Sequence, residues 1–280
     1  MILSFHPCVV TDENRICAGR PPDHQDLAAI RRATAVILPQ GCPESLFQMA
    51  RDNCAYLFPQ HQPRFAYPGK IGQARLFREH NLALPETRCF SNLATYHKEH
   101  PDPGHPPLPF PLVLKLNWGG EGDTVFPAAD AAELGKALIQ VQRHESSGQT
   151  GFLIQKHIPT RPGQGTLRVA VIGRMFFSYW RIPASKDAFH SSLAHGAGID
   201  HAAWPEAQAK GVVAVKQLCD HTGINLAGLD LIFPGDTPDA EPYFLEINHF
   251  FGRKGLGGSE RFYQYLNQAV AAWLKDNNLT

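Results

Sequence analysis

One carboxylate interrupts the apolar run Leu226-Ala-Gly-Leu-Asp230-Leu-Ile-Phe233. Read as a strand, this run buries Asp230 among aliphatic neighbours, at a cost of several kcal/mol unless a cation or hydrogen bonds compensate it. The fold must therefore bring polar partners to the middle of a sheet. A second strand follows, Tyr243-Phe-Leu-Glu246-Ile-Asn248. Strict alternation gives it an apolar face of Tyr243, Leu245 and Ile247, with Glu246 and Asn248 projecting together from the other. Asp230, Glu246 and Asn248 form a set of hard oxygen donors, suited to Mg²⁺ that also touches phosphate. A buried Asp–Arg pair beside a polar strand edge accounts for the same residues.

Length and charge narrow the classes further. The chain has 280 residues, enough for two compact units at roughly 100–200 residues each. Hydrophobic residues make up 43% and charged residues 19%, so wholesale disorder and a fibrous repeat are excluded. Lys plus Arg (26) balances Asp plus Glu (26), and without a basic excess no nucleic-acid partner is expected. No apolar run approaches the roughly 18 residues of a membrane span, and the first residues, Met1 to Pro7, do not read as a secretory signal. Six scattered cysteines without a CxxC pair suit reduced thiols in a cytoplasm.

Up to about Tyr67 the pattern is strand, helix, strand, helix, strand. The strands are Ile2 to Phe5, Ala35 to Leu38 and Ala55 to Phe58. Asp23 caps the first helix, and Pro43 opens the second. This predicts a small parallel α/β unit. Lys70 then opens a helix carrying Ile71, Ala74 and Phe77. Residues 101–111 hold six prolines and must be a stiff surface connection. Beyond them Leu112, Leu114 and Leu116 face one way, while Val113, Lys115 and Asn117 face the other. Asp130 caps a helix with Leu134, Ala137, Leu138 and Val141 on one stripe. Further strands are expected at 152–155, 167–172 and 175–182, with a hairpin at Gly173-Arg174. Helices are expected at about 205–221 and 259–275.

Lys115 precedes the loop Trp118-Gly119-Gly120-Glu121-Gly122, where three glycines let the backbone fold close over phosphates. A solvated Lys beside a glycine-rich hairpin gives the same pattern. There is no P-loop and no strand-borne GxGxxG. Arg168 and Arg181 alternate into apolar strands, where a guanidinium fork suits phosphate or carboxylate, or an ion pair with Asp230 or Glu246. His190 and His195 lie in a polar loop, as solvated side chains or substrate contacts. The segment from His249 to Gly258 reads as a flexible cationic loop gripping an anion, or as a solvated cap on the sheet. Ser-His-Asp catalysis lacks its GxSxG elbow.

Taken in order, these pieces resemble the ATP-grasp superfamily, which includes glutathione synthetase and the ribosomal-protein glutamate ligases. The sequence of pieces runs from the Lys70 helix through Phe110-Pro-Leu-Val-Leu-Lys115 and its glycine loop to Phe152-Leu-Ile-Gln-Lys-His-Ile158. It continues through Arg168 to Arg181, Gly228-Leu-Asp230 and Glu246-Ile-Asn248. The resemblance covers about Lys70 to Trp273. It implies an N-terminal α/β domain at 1–68 and a two-part ATP-grasp domain with antiparallel sheets at 69–280, including a mobile lid at about 112–158. It implies that Lys70, Lys115 and the loop of Gly119, Gly120 and Gly122 meet ATP phosphates. Gln155, Lys156, His157 and Ile158 become the adenine hinge, partly through backbone groups of Lys156 and Ile158. Asp230, Glu246 and Asn248 hold Mg²⁺, with Mn²⁺ as a substitute, and Arg168 and Arg181 are the catalytic cations near the phosphates or the acyl substrate.

The implied activity is an ATP-dependent carboxylate–amine ligase in the cytoplasm, with a homodimer as many relatives form. An ATP-grasp kinase and a non-catalytic nucleotide-binding regulator are the alternatives. Several positions depart from the family pattern. Lys156 stands where a Glu is frequent, Gly165-Thr166-Leu167 lacks the acidic residue often placed before Arg168, and His190 and Ser192 replace an Arg and an Asn. His249 to Gly258 replaces a stretch of small residues and proline.

Overall fold

The computed structural model describes residues 1–102, 104–120, 122–185, 196–235 and 240–279. His190, Ser192 and His195 therefore lie outside the described residues, as does Glu121 of the glycine loop. Among the described residues no helix is long and apolar enough to cross a membrane.

The N-terminal sheet holds β1 (Ile2–Ser4), β2 (Glu13–Asn14), β3 (Ala35–Ile37) and β4 (Tyr56–Phe58) in the order β2-β1-β3-β4. Every pairing is parallel, as the alternation of strands and helices predicts. Both faces are buried, which parallel sheets require. Leu3, Val36 and Leu38 pack on α1 (His24–Arg32) and α2 (Glu44–Asn53), while Ile2, Ile37 and Phe58 pack on the C-terminal helix. Asp23 caps α1 through the amides of Gln25 and Asp26. Pro43 is the N-cap of α2 rather than its first residue. The strand β2 is not visible in the sequence, because two polar residues carry no periodicity. A short helix, α3 (Gln62–Ala66), follows β4.

The second sheet, β5-β8-β6-β7, is antiparallel: β5 (Thr87–Phe90), β6 (Leu112–Leu116), β7 (Val125–Ala128) and β8 (Phe152–Lys156). Leu112, Leu114 and Leu116 enter one core with Leu134, Ala137, Leu138 and Val141 of α6 (Ala131–Ser146), as their spacings predict. The Asp130 carboxylate caps α6 at the Glu133 amide. Before β5 lies α4 (Gly69–Glu79), and after it α5 (Leu93–Glu99).

The third sheet runs β11-β10-β9-β12-β13, also antiparallel. Its strands are β9 (Thr166–Ile172), β10 (Met175–Ile182), β11 (Gly198–Asp200), β12 (Leu226–Ile232) and β13 (Tyr243–Asn248). Gly173, at φ +61°, makes the expected hairpin between β9 and β10. Leu167, Val169 and Val171 pack with Val215 and Leu218 of α7 (Pro205–Thr222) and with Phe77 of α4. The opposite parity, Ala170 and Ile172, meets Phe262 and Leu266 of α8 (Ser259–Asp276).

Two sequence expectations are corrected here. Strict alternation put Tyr243, Leu245 and Ile247 on the apolar face of β13. Instead the register slips beside Asp230, pairing Leu231 with Phe244 and leaving Leu245 as the extra residue of a β-bulge. Phe244 and Ile247 thereby share the core, and Phe244 packs on Phe77 with ring centroids 5.3 Å apart. Glu246 and Asn248 keep their common face.

The segment 249–258, read as flexible, is docked. Phe251 and Leu256 are buried, and Lys254–Leu256 form a 3₁₀ turn. Arg253 lies over the rings of Phe262 and Tyr263, 4.5 and 4.6 Å from their centroids, so it is not a free cation. Gly255 sits flat against Tyr179, where a Cβ would run into the ring. Because Tyr179 is fully buried and cannot swing away, Gly255→Ala should cost about 1–3 kcal/mol. A lowered Tm checks this; an unchanged Tm would mean that the turn lifts off the ring freely.

Candidate active site

The helix α4 begins at a junction between the second and third sheets. Gly69, at φ +67°, lies against the Asn117 side chain, where a Cβ would clash. Asn117 closes the first turn twice: its carbonyl accepts from the Lys70 amide (3.0 Å) and its Oδ1 from the Ile71 amide (2.9 Å). One turn later Gln73 clamps β13. Its Nε2 donates to the Ile247 carbonyl and its Oε1 accepts from the Ile247 amide, both at 2.8 Å. Sequence reasoning missed Asn117 and Gln73 as site builders, since their bonds are long-range and a lone amide after a strand or on a helix carries no motif.

The Lys70 side chain is thereby buried at this junction. Its Nζ donates to the Gly119 carbonyl at 2.8 Å and stands 3.6 Å from Glu246 Oε1. Lys115 is buried too, and among the described residues no carboxylate lies within ion-pair distance of it. Burial pushes its ammonium down to about 8; Glu246 and Asp230 pull the value up, and Lys70 lowers it further. In the glycine loop, Gly119 (φ +105°) and Gly122 (φ +93°) adopt backbone conformations that favour glycine. A Cβ on Gly119 would meet Thr124, whereas Gly120 has open space around it.

The third sheet carries the charged core of the site. Its register sets Tyr179, Arg168, Asp230 and Glu246 side by side across β10, β9, β12 and β13. Arg168 binds Asp230 with both arms, Nε to Oδ1 at 2.5 Å and Nη2 to Oδ2 at 3.0 Å. Arg181 Nη2 stands 2.8 Å from Oδ2, and Asn248 Nδ2 donates to the same oxygen at 3.1 Å. Burial opposes the charge on Asp230, but Arg168 and then Arg181 outweigh it and hold the carboxyl below its ordinary range. Arg168 shows the converse: burial opposes its charge, and Asp230 more than restores it. Gly228 leaves room for this pair, since a Cβ there would come within 2.8 Å of Arg168 Nη1.

The buried Asp–Arg pair is thus present, and it does not exhaust the donor set. Asn248 turns its amide nitrogen to Asp230, which leaves Oδ1 as an acceptor, and among the described residues the Glu246 carboxylate pairs with Lys70 alone. Four cations (Lys70, Lys115, Arg168, Arg181) face two carboxylates, an excess of positive charge that suits a polyphosphate. Among the described residues no group of three or more His, Cys, Asp or Glu side chains could hold a metal ion without other ligands.

The Gln155–Ile158 segment leaves β8 beside β5. Gln155 is buried and donates to Thr87 Oγ1 at 2.9 Å. The amides of Lys156 and His157 are taken by the Glu86 and Pro111 carbonyls. The amide of Ile158 has no partner among the described residues.

Comparison with known proteins agrees with this architecture. The chain aligns over 96% of its length with 98% of a RimK-domain ATP-grasp protein from Sphaerobacter thermophilus, at 16% identity and a TM-score of 0.62. It aligns over 98% of its length with 99% of the D-cycloserine synthetase DcsG, at 14% identity and a TM-score of 0.60. The VanG D-Ala:D-Ser ligase from Enterococcus faecalis matches 86% of this chain over 73% of its own, with 16% identity and a TM-score of 0.60. At these identities the likeness is one of fold. A comparison with curated protein sequences gives no match. Residues 74–264, more than half of the chain, match the sequence profile of the RimK-like ATP-grasp domain, and the chain belongs to that family.

Proposed function

We propose that this protein is an ATP- and Mg²⁺-dependent carboxylate–amine ligase working through an acyl phosphate. Members of its family are ATP-dependent carboxylate–amine ligases. The observation that carries the reading is the convergence of Lys70 and Lys115 on the Arg168–Asp230–Glu246 row.

On this reading Lys70 and Lys115 meet the phosphates, and the glycine loop closes over them with its N–H groups. The Ile158 amide, without a partner among the described residues, supports the hinge at 155–158 as the adenine edge. Glu246, Asn248 and Asp230 are the residues that would hold the magnesium. Two carboxylates and an amide are too few alone, which fits an ion that takes its remaining ligands from phosphate and water. When bound, the ion neutralises charge on the β- and γ-phosphates. Arg181 exchanges Asp230 for an anionic oxygen of the nucleotide or acyl substrate, while Arg168 keeps Asp230 in line.

The substrate carboxylate oxygen attacks the γ-phosphorus as the bond to ADP breaks. The amine nitrogen then attacks the acyl carbon, phosphate leaves, and the nitrogen loses a proton. The chain's own part is positioning, desolvation and fixed positive charge. A phosphotransferase acting on a non-carboxylate group would use the same nucleotide site. An inactive regulator has no physical need for so costly a charged cluster. The soluble substrates of this chemistry fit a cytoplasmic setting.

Assaying ATP turnover with pools of amino acids and other carboxylic acids tests the reading. Amide, ADP and phosphate support it; a phosphorylated product would replace the ligase by a kinase, and nucleotide binding without turnover would replace it by a regulator. Glu246→Gln should lower turnover at least about 100-fold, a typical electrostatic contribution; undiminished turnover would remove Glu246 from the site.

Lys115 gives a second test. Its folded pKa, about 8, lies below the value near 10.4 of a free Lys. Between those values the unfolded chain binds the extra proton, so stability rises with pH there. At neutral pH the charged Lys115 destabilises the ligand-free protein by about 1–3 kcal/mol. Lys115→Met should therefore raise the Tm of the ligand-free protein at pH 7 while weakening ADP binding at least tenfold by calorimetry. A lower Tm with intact binding would refute this assignment.

A further inference from the structure

Parallel sheets of open α/β type bind ligands at the carboxyl ends of their strands. In the N-terminal sheet that edge carries Gln40 after β3, and His61 and Arg64 after β4. None of these has a role in the nucleotide chemistry above. Gln40 is 4% exposed, yet neither Oε1 nor Nε2 has a hydrogen-bond partner among the described residues. An unpaired buried amide costs about 1–3 kcal/mol, a cost that a bound ligand would remove.

Arg64 stands beside it. Its Nη1 donates to the Cys42 carbonyl at 3.0 Å and to the Gln40 carbonyl at 3.4 Å. These two bonds fix the guanidinium and leave the N–H groups of Nη2 and Nε without a protein acceptor among the described residues. No described carboxylate lies within ion-pair distance of this half-buried cation; its guanidinium lies over the Phe65 ring, 4.9 Å from the centroid, which leaves the N–H edge open to an anion. His61 donates from Nε2 to the Pro39 carbonyl at 3.0 Å in the neutral form, and burial pushes its pKa down to about 4. It adds a fixed wall without adding charge. The edge adjoins the end of β13, where His249 follows Asn248 and senses the charge of Arg64.

A fixed guanidinium fork, an unsatisfied amide and no acid describe a receptor for an anion, with nothing to hold an ammonium group. We propose that Arg64 and Gln40 bind a carboxylate of the substrate remote from the one that is activated, so that the enzyme selects dicarboxylic acids or amino acids joined through another group. This rests on the ligase reading and extends it to substrate class.

The test uses the full-length protein saturated with Mg²⁺ and the non-hydrolysable analogue AMPPNP, titrated with the α,ω-dicarboxylates malonate to adipate. Calorimetry gives affinity, and NMR follows the Arg64 Nε–H signal. At least one of these acids should bind and shift that signal. Arg64→Gln should weaken its binding at least tenfold. Gln40→Leu should weaken it severalfold without lowering the Tm, whereas a merely structural glutamine would lower the Tm and spare binding. The proposal is overturned if no dicarboxylate of the series binds, if Arg64→Gln binds it as the wild type does, or if inorganic phosphate shifts the Arg64 signal at lower concentration than every dicarboxylate. Failure of AMPPNP itself to bind the wild-type protein would count against the ligase reading and is recorded separately.

Discussion

The arrangement depends on a carboxylate that two guanidinium groups keep charged inside a sheet. Removing Asp230 from water is expensive, and well-packed apolar side chains of similar volume often match or exceed such a cluster in stability. The register across β9, β12 and β13 makes it tolerable. Arg168, Asp230 and Glu246 stand directly opposite one another on neighbouring strands, about 4.8 Å apart in the hydrogen-bonding direction. No long side chain has to search for its partner, so little rotamer entropy is lost per bond. Gly228 clears the space through which the Arg168 guanidinium passes.

The charged row faces the lysines only because α4 is fastened at both ends of one turn. Asn117 ties its start to the end of β6, and Gln73 ties the next turn to Ile247 between Glu246 and Asn248. Two amides thus set the distance between the second and third sheets at the level of the site. Lys70, at the same point, is shared by the Gly119 carbonyl and the Glu246 carboxylate. Anything that draws the glycine loop away, or offers Lys70 another anion, changes both contacts at once. Loop position and the charge around Glu246 are therefore coupled through one ammonium group.

Local features were legible in the sequence because their causes are local. The caps at Asp23 and Asp130, the Leu112–Leu116 alternation and the Gly173 hairpin each depend on a few adjacent residues. What escaped depends on contacts made across the fold. The bulge at Leu245 follows from packing Phe244 against Phe77, and the docking of 249–258 from the buried ring of Tyr179. Neither partner is near in sequence. The site divides in the same way. The types and order of Lys70, Lys115, Arg168, Asp230 and Glu246 could be read, since charges in apolar strands are conspicuous. The clamps of Gln73 and Asn117, and Arg64 without a carboxylate partner among the described residues, could not, because amides and a surface-like Arg are conspicuous only once their surroundings are known.

The two arginines on Asp230 are not equivalent, and the difference assigns them different work. Arg168 comes from the strand next to β12, binds both carboxylate oxygens and is almost wholly buried. Arg181 comes from one strand further, reaches a single oxygen with Nη2, and is 16% exposed at the side chain. Its Nε is buried without a partner among the described residues, so that donor is unsatisfied there. A bidentate, desolvated pair yields last, and a single contact with an unsatisfied donor yields first. On the proposed reading an anion entering the site recruits Arg181 while Arg168 stays, and Asp230 Oδ2 loses one of its three donors, keeping Arg168 and Asn248. On that reading the loss of one donor leaves Asp230 free to act as a ligand without unfolding the row that positions it. The pair and the binding site proposed here are two states of the same residues.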